Sequence, residues 1–227
     1  MGNGNVDLKW AGWLYLALAA IAPFSLSYVP LVIAEANGAF SERLATHQQL
    51  LHLSMASVML YQIIEVFIVL ALFNYFRSVN SNLARQMLVL GLLPLPIIFL
   101  NELNLIGAIS FATGDSIAAG LDAGFVGSMA ALFYDFHETG IVIASIFWGL
   151  WLIPLGRLVI ISDKIPKFFG YSVMVGAAGY IISAAAILVL PSLIAPAIID
   201  NLTFTGSLLM LGEVPIIAGL LWTAYKR

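Results

Sequence analysis

The 227-residue chain contains no cysteine and little charge. Without cysteine there is no disulfide, thiolate nucleophile, iron–sulfur cluster or Cys-ligated zinc site. Charged residues make up 9% of the chain and hydrophobic residues 62%, whereas soluble globular proteins carry roughly 25% charged residues. This balance excludes a soluble fold and predicts a protein embedded in a lipid bilayer.

The chain also lacks the signals of nucleic-acid and nucleotide binding. Its net charge is −3, and it has neither a run of basic residues nor a Gly-rich phosphate loop. Nucleic-acid binding depends largely on basic residues that contact phosphates. Many nucleotide-binding proteins hold the phosphates in a Gly-rich loop. We therefore expect no nucleic-acid partner, and no motif implies a cofactor.

Six long apolar stretches divide the sequence. A helix needs about 20 apolar residues to cross a bilayer, and each stretch is long enough. They lie at about 10–33, 54–76, 85–112, 129–161, 168–190 and 204–225. We predict an all-α polytopic membrane bundle of six transmembrane helices in one domain. Residues 41–53, with Ser41 as a possible N-cap, predict a short helix on the outer membrane surface.

Basic residues predict the orientation of this bundle. Of the nine Lys and Arg residues, eight flank the apolar stretches on one side and Arg43 lies on the other. The eight are Lys9, Arg77, Arg85, Arg157, Lys164, Lys167, Lys226 and Arg227. Because cytoplasmic loops are enriched in Lys and Arg, we expect both termini in the cytoplasm and the protein in the cell membrane.

Four predicted spans carry a glutamate well inside the apolar stretch. Counted at ~1.5 Å per residue, these glutamates lie roughly 13–18 Å from the outer ends of their spans. Ionisable residues within spans are rare and mark functional sites. With neighbouring amides, an imidazole and an aspartate, they form the candidate ligand- or ion-binding set. Its members are Glu65, Asn101, Glu102, Asn104, Asp135, His137, Glu138 and Glu213.

Apart from Arg85 and Arg157, near the predicted cytoplasmic ends of their spans, no basic residue falls inside a predicted span to neutralise these carboxylates. The set can therefore hold protons, coordinate a cation or line a water-filled cavity. Helix geometry places Asp135 and Glu138 on one face and His137 about 200° around from Asp135. We expect His137 and Glu138 to flank the bundle interior and Asp135 to lie closer to outer water.

Proline is expected to break the helix beside one of the glutamates. Pro215 follows Glu213 by two residues and would leave the carbonyl of Leu211 without its helical hydrogen bond. Broken backbone beside an acid is a common way to build a cation site in a membrane. Pro94 and Pro96 predict a similar break in span three.

Aromatic residues cluster near the predicted cytoplasmic ends of the first and last spans. Aromatic rings commonly anchor helices at the headgroup level. We interpret these residues as anchors without a role in the polar site. They are Trp10, Trp13, Tyr15, Trp222 and Tyr225.

The polar set leaves three functional interpretations open. The leading one is binding, transport or sensing of a proton, cation or small polar ligand that enters from outside. A second is a metal-dependent intramembrane enzyme that uses Glu65, Glu102, His137, Glu138 and Glu213 as ligands. Against it, the spans contain one histidine and neither a Glu-x-x-His pair nor a His-Glu-x-x-His motif, so we expect binding rather than catalysis.

The third interpretation is a membrane scaffold that assembles with another helix. Small residues in span five recur every three or four positions, a spacing that lets helix backbones approach closely. They are Ser172, Gly176, Gly179, Ser183 and Ala184 to Ala186. In this interpretation span five binds a partner helix and the polar set serves only to specify the fold.

The second half of the chain carries a specific sequence pattern. It comprises His137-x-x-Gly140, the run FWGLWLIPLG from Phe147 to Gly156, Ser162, Ile165-Pro166-Lys167 and Gly170. This pattern resembles the bacterial and archaeal membrane family catalogued as domain of unknown function 4386, whose members show a similar FFGL-x-L-x-x-LG run and S-x-x-IP-K/R loop. Further matches are Gly12-x-x-Tyr15-Leu16, Gly179-Tyr180, Gly212-Glu213 and Trp222.

The resemblance covers nearly the whole chain and implies a six-helix membrane domain without an established activity. His137 and Glu213 coincide with positions in the family's motifs, whereas Glu65, Glu102 and Glu138 do not. The resemblance therefore gives His137 and Glu213 the most weight among the candidates. One departure is Trp148, which stands where the family pattern has its second phenylalanine.

Overall fold

The computed structural model describes residues 3–114 and 120–226, in which all regular structure is helical and no strand occurs. The α-helices are α1 (Asn3–Pro23), α2 (Val29–Glu35), α3 (Phe40–Thr46), α4 (Gln48–Phe76), α5 (Ser81–Leu92), α6 (Pro94–Thr113), α7 (Ala123–Ser162), α8 (Lys167–Leu188), α9 (Pro196–Met210) and α10 (Pro215–Tyr225). A π-helical turn, Phe24–Tyr28, joins α1 to α2, and a 3₁₀ turn, Leu211–Glu213, follows α9.

Six segments of the described chain are long and apolar enough to cross a membrane. They are Asn5–Glu35, Gln48–Phe76, Ser81–Thr113, Ala123–Ser162, Lys167–Leu188 and Pro196–Tyr225. The predicted all-α architecture with six spans is confirmed. Most helices extend beyond the apolar stretches, because polar residues can continue a helix past the hydrophobic part of a span.

Prolines mark the irregular points in three of the spans. In span one the π-helical turn Phe24–Tyr28 precedes Pro30, and span three is interrupted at Leu93, immediately before Pro94. In span six the 3₁₀ turn and Val214 precede Pro215. Proline has no backbone N–H and clashes with the preceding turn, so regular hydrogen bonding fails on its N-terminal side.

The contacts divide the chain into two compact units. Unit 1 comprises Met1–Ala19, Ile63–Leu95 and Val142–Arg227, and unit 2 comprises Ala20–Gln62 and Pro96–Ile141. Each of the first four spans therefore contributes residues to both units, whereas spans five and six belong to unit 1.

Each unit has its own apolar core. In unit 1, Leu8, Leu72, Leu152, Val173 and Leu220 are fully buried and belong to one cluster of packed side chains. The core of unit 2 is smaller and includes Val29, Leu44, Leu51, Leu105 and Ala130. Moving a leucine side chain from water into a protein core stabilises the fold by about 1.5–3 kcal/mol. Inside lipid there is no such transfer from water, and the stabilisation comes mainly from close packing.

The segment predicted as an outer surface helix, residues 41–53, is only partly a separate helix. Helix α3 starts at Phe40 and ends at Thr46, and α4 begins at Gln48. The Glu42 carboxylate accepts a hydrogen bond from the Ala39 N–H at 3.1 Å, so Ser41 is not the N-cap. Residues 48–53 instead form the first turns of span two, since no proline or glycine interrupts the helix from Gln48 to Phe76.

These longer helices change the depths counted from the apolar stretches. Span two begins at Gln48 rather than residue 54, and span six at Pro196 rather than residue 204. Glu65 and Glu213 consequently lie about two helical turns further from those ends than predicted. Span three ends at Thr113, close to the predicted 112, so Glu102 keeps its predicted depth. Helix ends do not mark the membrane boundary, so the single level expected for the four glutamates stays a prediction.

Two candidate polar sites

The eight candidate residues fall into the two units. Glu65 and Glu213 belong to unit 1. The other six, Asn101, Glu102, Asn104, Asp135, His137 and Glu138, belong to unit 2. The residues are therefore described unit by unit, and their convergence on a single cluster stays a prediction.

In unit 1 the carboxyl group of Glu213 accepts hydrogen bonds from two tyrosines. The Tyr15 hydroxyl donates to Oε1, and the Tyr180 hydroxyl donates to Oε2 at 3.0 Å. The three residues come from spans one, five and six. Two phenol donors, one on each oxygen, stabilise a carboxylate without a basic side chain, because hydrogen bonds to a charged acceptor are the stronger kind.

The local sequence explains how Tyr180 reaches Glu213. Gly176 lies one turn before Tyr180, and a Cβ atom at Gly176 would be 2.9 Å from the backbone nitrogen of Glu213. Such a contact is too short, so glycine permits the close approach of α8 to the 3₁₀ turn. Gly179 meets the backbone of Gly206 in α9 in the same way.

Two tryptophans of span four hold the tyrosines in place. The Trp151 ring stacks on Tyr15 with centroids 6.2 Å apart, and the Trp148 ring meets Tyr180 edge-on at 6.3 Å. The Trp148 indole N–H also donates to Oε2 of Glu65 at 3.2 Å. Glu65, which is 5% exposed, and Glu213 therefore belong to one connected network of side chains in unit 1.

The backbone beside Glu213 is broken as predicted, but the Leu211 carbonyl is not free. It accepts the Val214 N–H at 3.1 Å, and the Val214 carbonyl accepts the Ile217 N–H at 3.2 Å. The 3₁₀ turn thus replaces the hydrogen bond that Pro215 cannot donate. The sequence predicted a free Leu211 carbonyl that could bind a cation. This prediction is wrong, because the carbonyl already accepts the Val214 N–H.

In unit 2 the Asn101 amide clamps α6 to α7. Its Nδ2 donates to the His137 carbonyl at 2.8 Å and approaches His137 Nδ1 at 3.3 Å, while its Oδ1 accepts from Asn104 Nδ2 at 3.0 Å. The carbonyl can only accept, so Nδ2 is the donor and Nδ1 the acceptor. A Cβ atom at Gly140 would overlap the Asn101 amide. Both polar atoms of the Asn101 amide thus have hydrogen-bond partners, as expected for a residue that joins two helices.

Glu102, the neighbour of Asn101, has a contrasting environment. Its side chain is 1% exposed, and neither carboxyl oxygen has a hydrogen-bond partner within the described residues. It lies on the same helix face as Ile98, Leu105 and Ile109, which are at most 4% exposed. An unpaired carboxyl in apolar surroundings is costly as an anion, so this group differs in kind from Glu213.

The remaining candidates of unit 2 lie along α7. His137 is 6% exposed, Glu138 is half-buried and Asp135 is exposed. Asp135 is thus the most exposed of the three, in agreement with the expectation that it lies closer to water than His137 and Glu138. Throughout residues 3–114 and 120–226, no group of three or more His, Asp or Glu side chains is placed to hold a metal ion.

Basic residues lie within several of the helices. Lys9 belongs to α1, Arg85 to α5 and Arg157 to α7. In the part of the chain that the structure describes, the one ion pair joins Lys167 to Asp163 at 3.3 Å. None of the candidate carboxylates there forms a salt bridge.

The small residues of span five pack within the chain itself. Gly176 faces the 3₁₀ turn of span six, and Gly179 and Ser183 face Gly206 of α9. This packing occupies the face that the sequence offers to a partner helix. An external helix partner for span five stays a prediction.

Sequence reasoning missed the tyrosines of the Glu213 site. Tyr15 was expected to be an interfacial anchor, but it is 3% exposed and bonded to Glu213. Trp10, Trp13, Trp222 and Tyr225 are exposed, in contrast. The signal that distinguishes Tyr15 and Tyr180 is a nearby glycine in Gly12-x-x-Tyr15 and Gly179-Tyr180, which brings each tyrosine's helix close to span six.

These features define the class of the protein. Apolar helices of membrane-crossing length, with carboxyl groups inside them, make it a multi-pass membrane protein. The chain belongs to the family described as Domain of unknown function (DUF4386), which matches residues 10–223. No curated protein and no solved structure matches it. The family resemblance stated from the sequence motifs is thereby confirmed.

Proposed function

We propose that the protein binds and releases a proton at Glu213, and that a transport or sensing activity in the membrane is coupled to this step. The observation that carries the proposal is the pair of tyrosine hydroxyls on the two oxygens of the Glu213 carboxyl. A carboxyl group within a span that has hydroxyl partners and no basic partner is suited to gain and lose a proton.

The chemistry of the phenol group supports reversible binding. A tyrosine hydroxyl can donate or accept a hydrogen bond. Both hydroxyls donate when Glu213 is a carboxylate, and one of them can rotate to accept once Glu213 carries a proton. The same three side chains therefore satisfy both protonation states without a change of partner.

The geometry favours a proton over a metal ion or an alkali cation. A cation site presents oxygen lone pairs to the ion, whereas Tyr15 and Tyr180 present hydroxyl hydrogens to Glu213. The Leu211 carbonyl, which was expected to be free beside Glu213, already accepts the Val214 N–H.

Tryptophan fluorescence tests the proposal directly, because Trp151 and Trp148 contact the two tyrosines. We expect wild-type protein in lipid vesicles to show a pH-dependent change of fluorescence that is lost in Glu213→Gln. The matched control Glu138→Gln, in unit 2, should keep the change. Persistence of the change in Glu213→Gln would contradict the proposal, and so would a midpoint that moves when Na⁺ replaces K⁺ at constant ionic strength.

The orientation in the membrane is part of the same proposal. The basic residues counted in the sequence support a cell-membrane protein with both termini in the cytoplasm. Because the chain has no cysteine, single-cysteine labelling is free of background. A membrane-impermeant maleimide applied to intact cells should label Asn37→Cys and not Ser81→Cys. The reverse pattern would overturn the orientation.

A further inference from the structure

A pocket lined by lysines lies in unit 1 where span four ends, span five begins and span six ends. Its volume is about 240 Å³. The residues that matter here are Asp163, Lys164, Lys167, Trp222, Thr223 and Lys226. Three ammonium groups and one carboxylate thus line the same concave surface, which leaves an excess of two positive charges.

The charges are not neutralised within the described part of the chain. Asp163 pairs with Lys167 at 3.3 Å, while Lys164 and Lys226 form no ion pair there. The Lys164 ammonium lies over the Tyr75 ring, 5.8 Å from its centroid, a contact that leaves its hydrogen-bonding capacity available. Two lysines are therefore able to bind an anion in the pocket.

The surroundings of the pocket indicate where the anion comes from. The pocket lies at the ends of apolar spans, and Trp222, which lines it, is 61% exposed. Phe168 and Tyr171, in the first turns of span five after Lys167, are 65% and 58% exposed. Such aromatic surface at a span end is typical of the headgroup region of a bilayer. A ligand here has its charged part among lysines and its apolar part against exposed helix surface.

We infer that this pocket binds the phosphate-containing headgroup of an anionic membrane lipid. Basic pockets between transmembrane helices are known to bind such headgroups. The volume is smaller than the roughly 300–1,000 Å³ of pockets that enclose a whole drug-sized molecule. It suits a headgroup whose acyl chains stay outside along the helices. This site is separate from Glu213, and the inference does not depend on proton binding.

Native mass spectrometry of the full-length protein in detergent tests the inference with phosphatidylglycerol as the probe and phosphatidylcholine as the zwitterionic comparison. Each lysine near the headgroup is expected to contribute about a fivefold change in affinity. Lys164→Ala combined with Lys226→Ala should therefore weaken phosphatidylglycerol binding by about tenfold or more. The control pair Arg77→Ala and Arg85→Ala, which removes the same charge elsewhere, should change it less than about twofold.

Misfolding of the lysine variant could also lower its affinity for phosphatidylglycerol. A second variant is therefore chosen that is expected to bind this lipid more tightly. Asp163 has a φ of 52°, a left-handed conformation that asparagine also tolerates. Asp163→Asn removes the one carboxylate and releases the Lys167 ammonium, so phosphatidylglycerol binding should strengthen about fivefold. Phosphatidylcholine binding should not change.

Three results would overturn the inference. One is an equal loss of affinity with the lysine pair and the arginine pair, which would indicate general surface attraction. Another is equal binding of the two lipids. The third is displacement of phosphatidylglycerol by inorganic phosphate at the same concentration, which would indicate a site for free phosphate.

Discussion

The carboxyl groups of Glu213, which is half-buried, and Glu102, which is buried, lie in different units and have opposite surroundings. Glu213 accepts hydrogen bonds from two tyrosines held by tryptophan rings. Glu102 is more completely buried, yet its oxygens have no hydrogen-bond partner in the described residues. Burial alone thus does not identify a site. The partners of the acid decide whether it can carry a charge and exchange a proton.

The same contrast separates the polar networks around the two acids. The unit 1 network, from Glu65 through Trp148 and Tyr180 to Glu213, ends in a carboxyl group at each side and contains hydroxyls that can donate or accept. In unit 2 the Asn101 amide forms hydrogen bonds with the backbone carbonyl and the ring of His137 and with the Asn104 side chain. The first arrangement is suited to chemistry with protons, and the second fixes two helices together.

Replacing Glu213 is expected to have the largest effect on stability. Glu213→Met conserves the length of the side chain but removes both acceptors. It leaves the buried Tyr15 hydroxyl without its partner, which costs about 1–3 kcal/mol. Thermal unfolding in detergent should therefore shift to lower temperature. Tyr15→Phe in the same background removes the orphaned hydroxyl and should restore part of the loss; no restoration would contradict the assigned hydrogen bond.

The matched replacement at Glu102 is expected to have a smaller effect of opposite sign. Glu102→Met removes a carboxyl group that has no hydrogen bond and retains its volume. The free energy of unfolding should rise by about 1 kcal/mol, because an unbonded polar group is no longer held in an apolar environment. Thermal unfolding measured beside Glu213→Met checks the sign. A destabilised Glu102→Met would mean that Glu102 has a binding partner in the folded protein.

The comparison also shows which features a single sequence can predict. The six spans follow from the length of the apolar stretches, and the break at Glu213 follows from Pro215. Both depend on residues close together in the chain. The candidate acids follow from their rarity inside spans. Within one helix, the angle between Asp135 and His137 predicts that the two side chains face different surroundings, but not which of them is buried.

The partners of those acids depend on which helices pack together, and periodicity within one helix contains no such information. Tyr15 and Glu213 are 198 positions apart, and Trp148 and Glu65 are 83 apart. The sequence therefore predicted the acids but not the side chains that form hydrogen bonds with them. It also placed Tyr15 at the membrane interface, since an aromatic residue near a span end is more often an anchor than a hydrogen-bond donor to a buried acid.

The measurement that tests the central claim most directly is an infrared difference spectrum between low and high pH of the protein in lipid vesicles. Protonated carboxyl groups absorb apart from carboxylates, and their C=O band shifts with hydrogen bonding. We predict a carboxylic-acid band that disappears in Glu213→Gln, shifts in Tyr180→Phe and is unchanged in Glu102→Gln. A band that survives Glu213→Gln, or that Glu102→Gln removes, would contradict the assignment of reversible proton binding to Glu213.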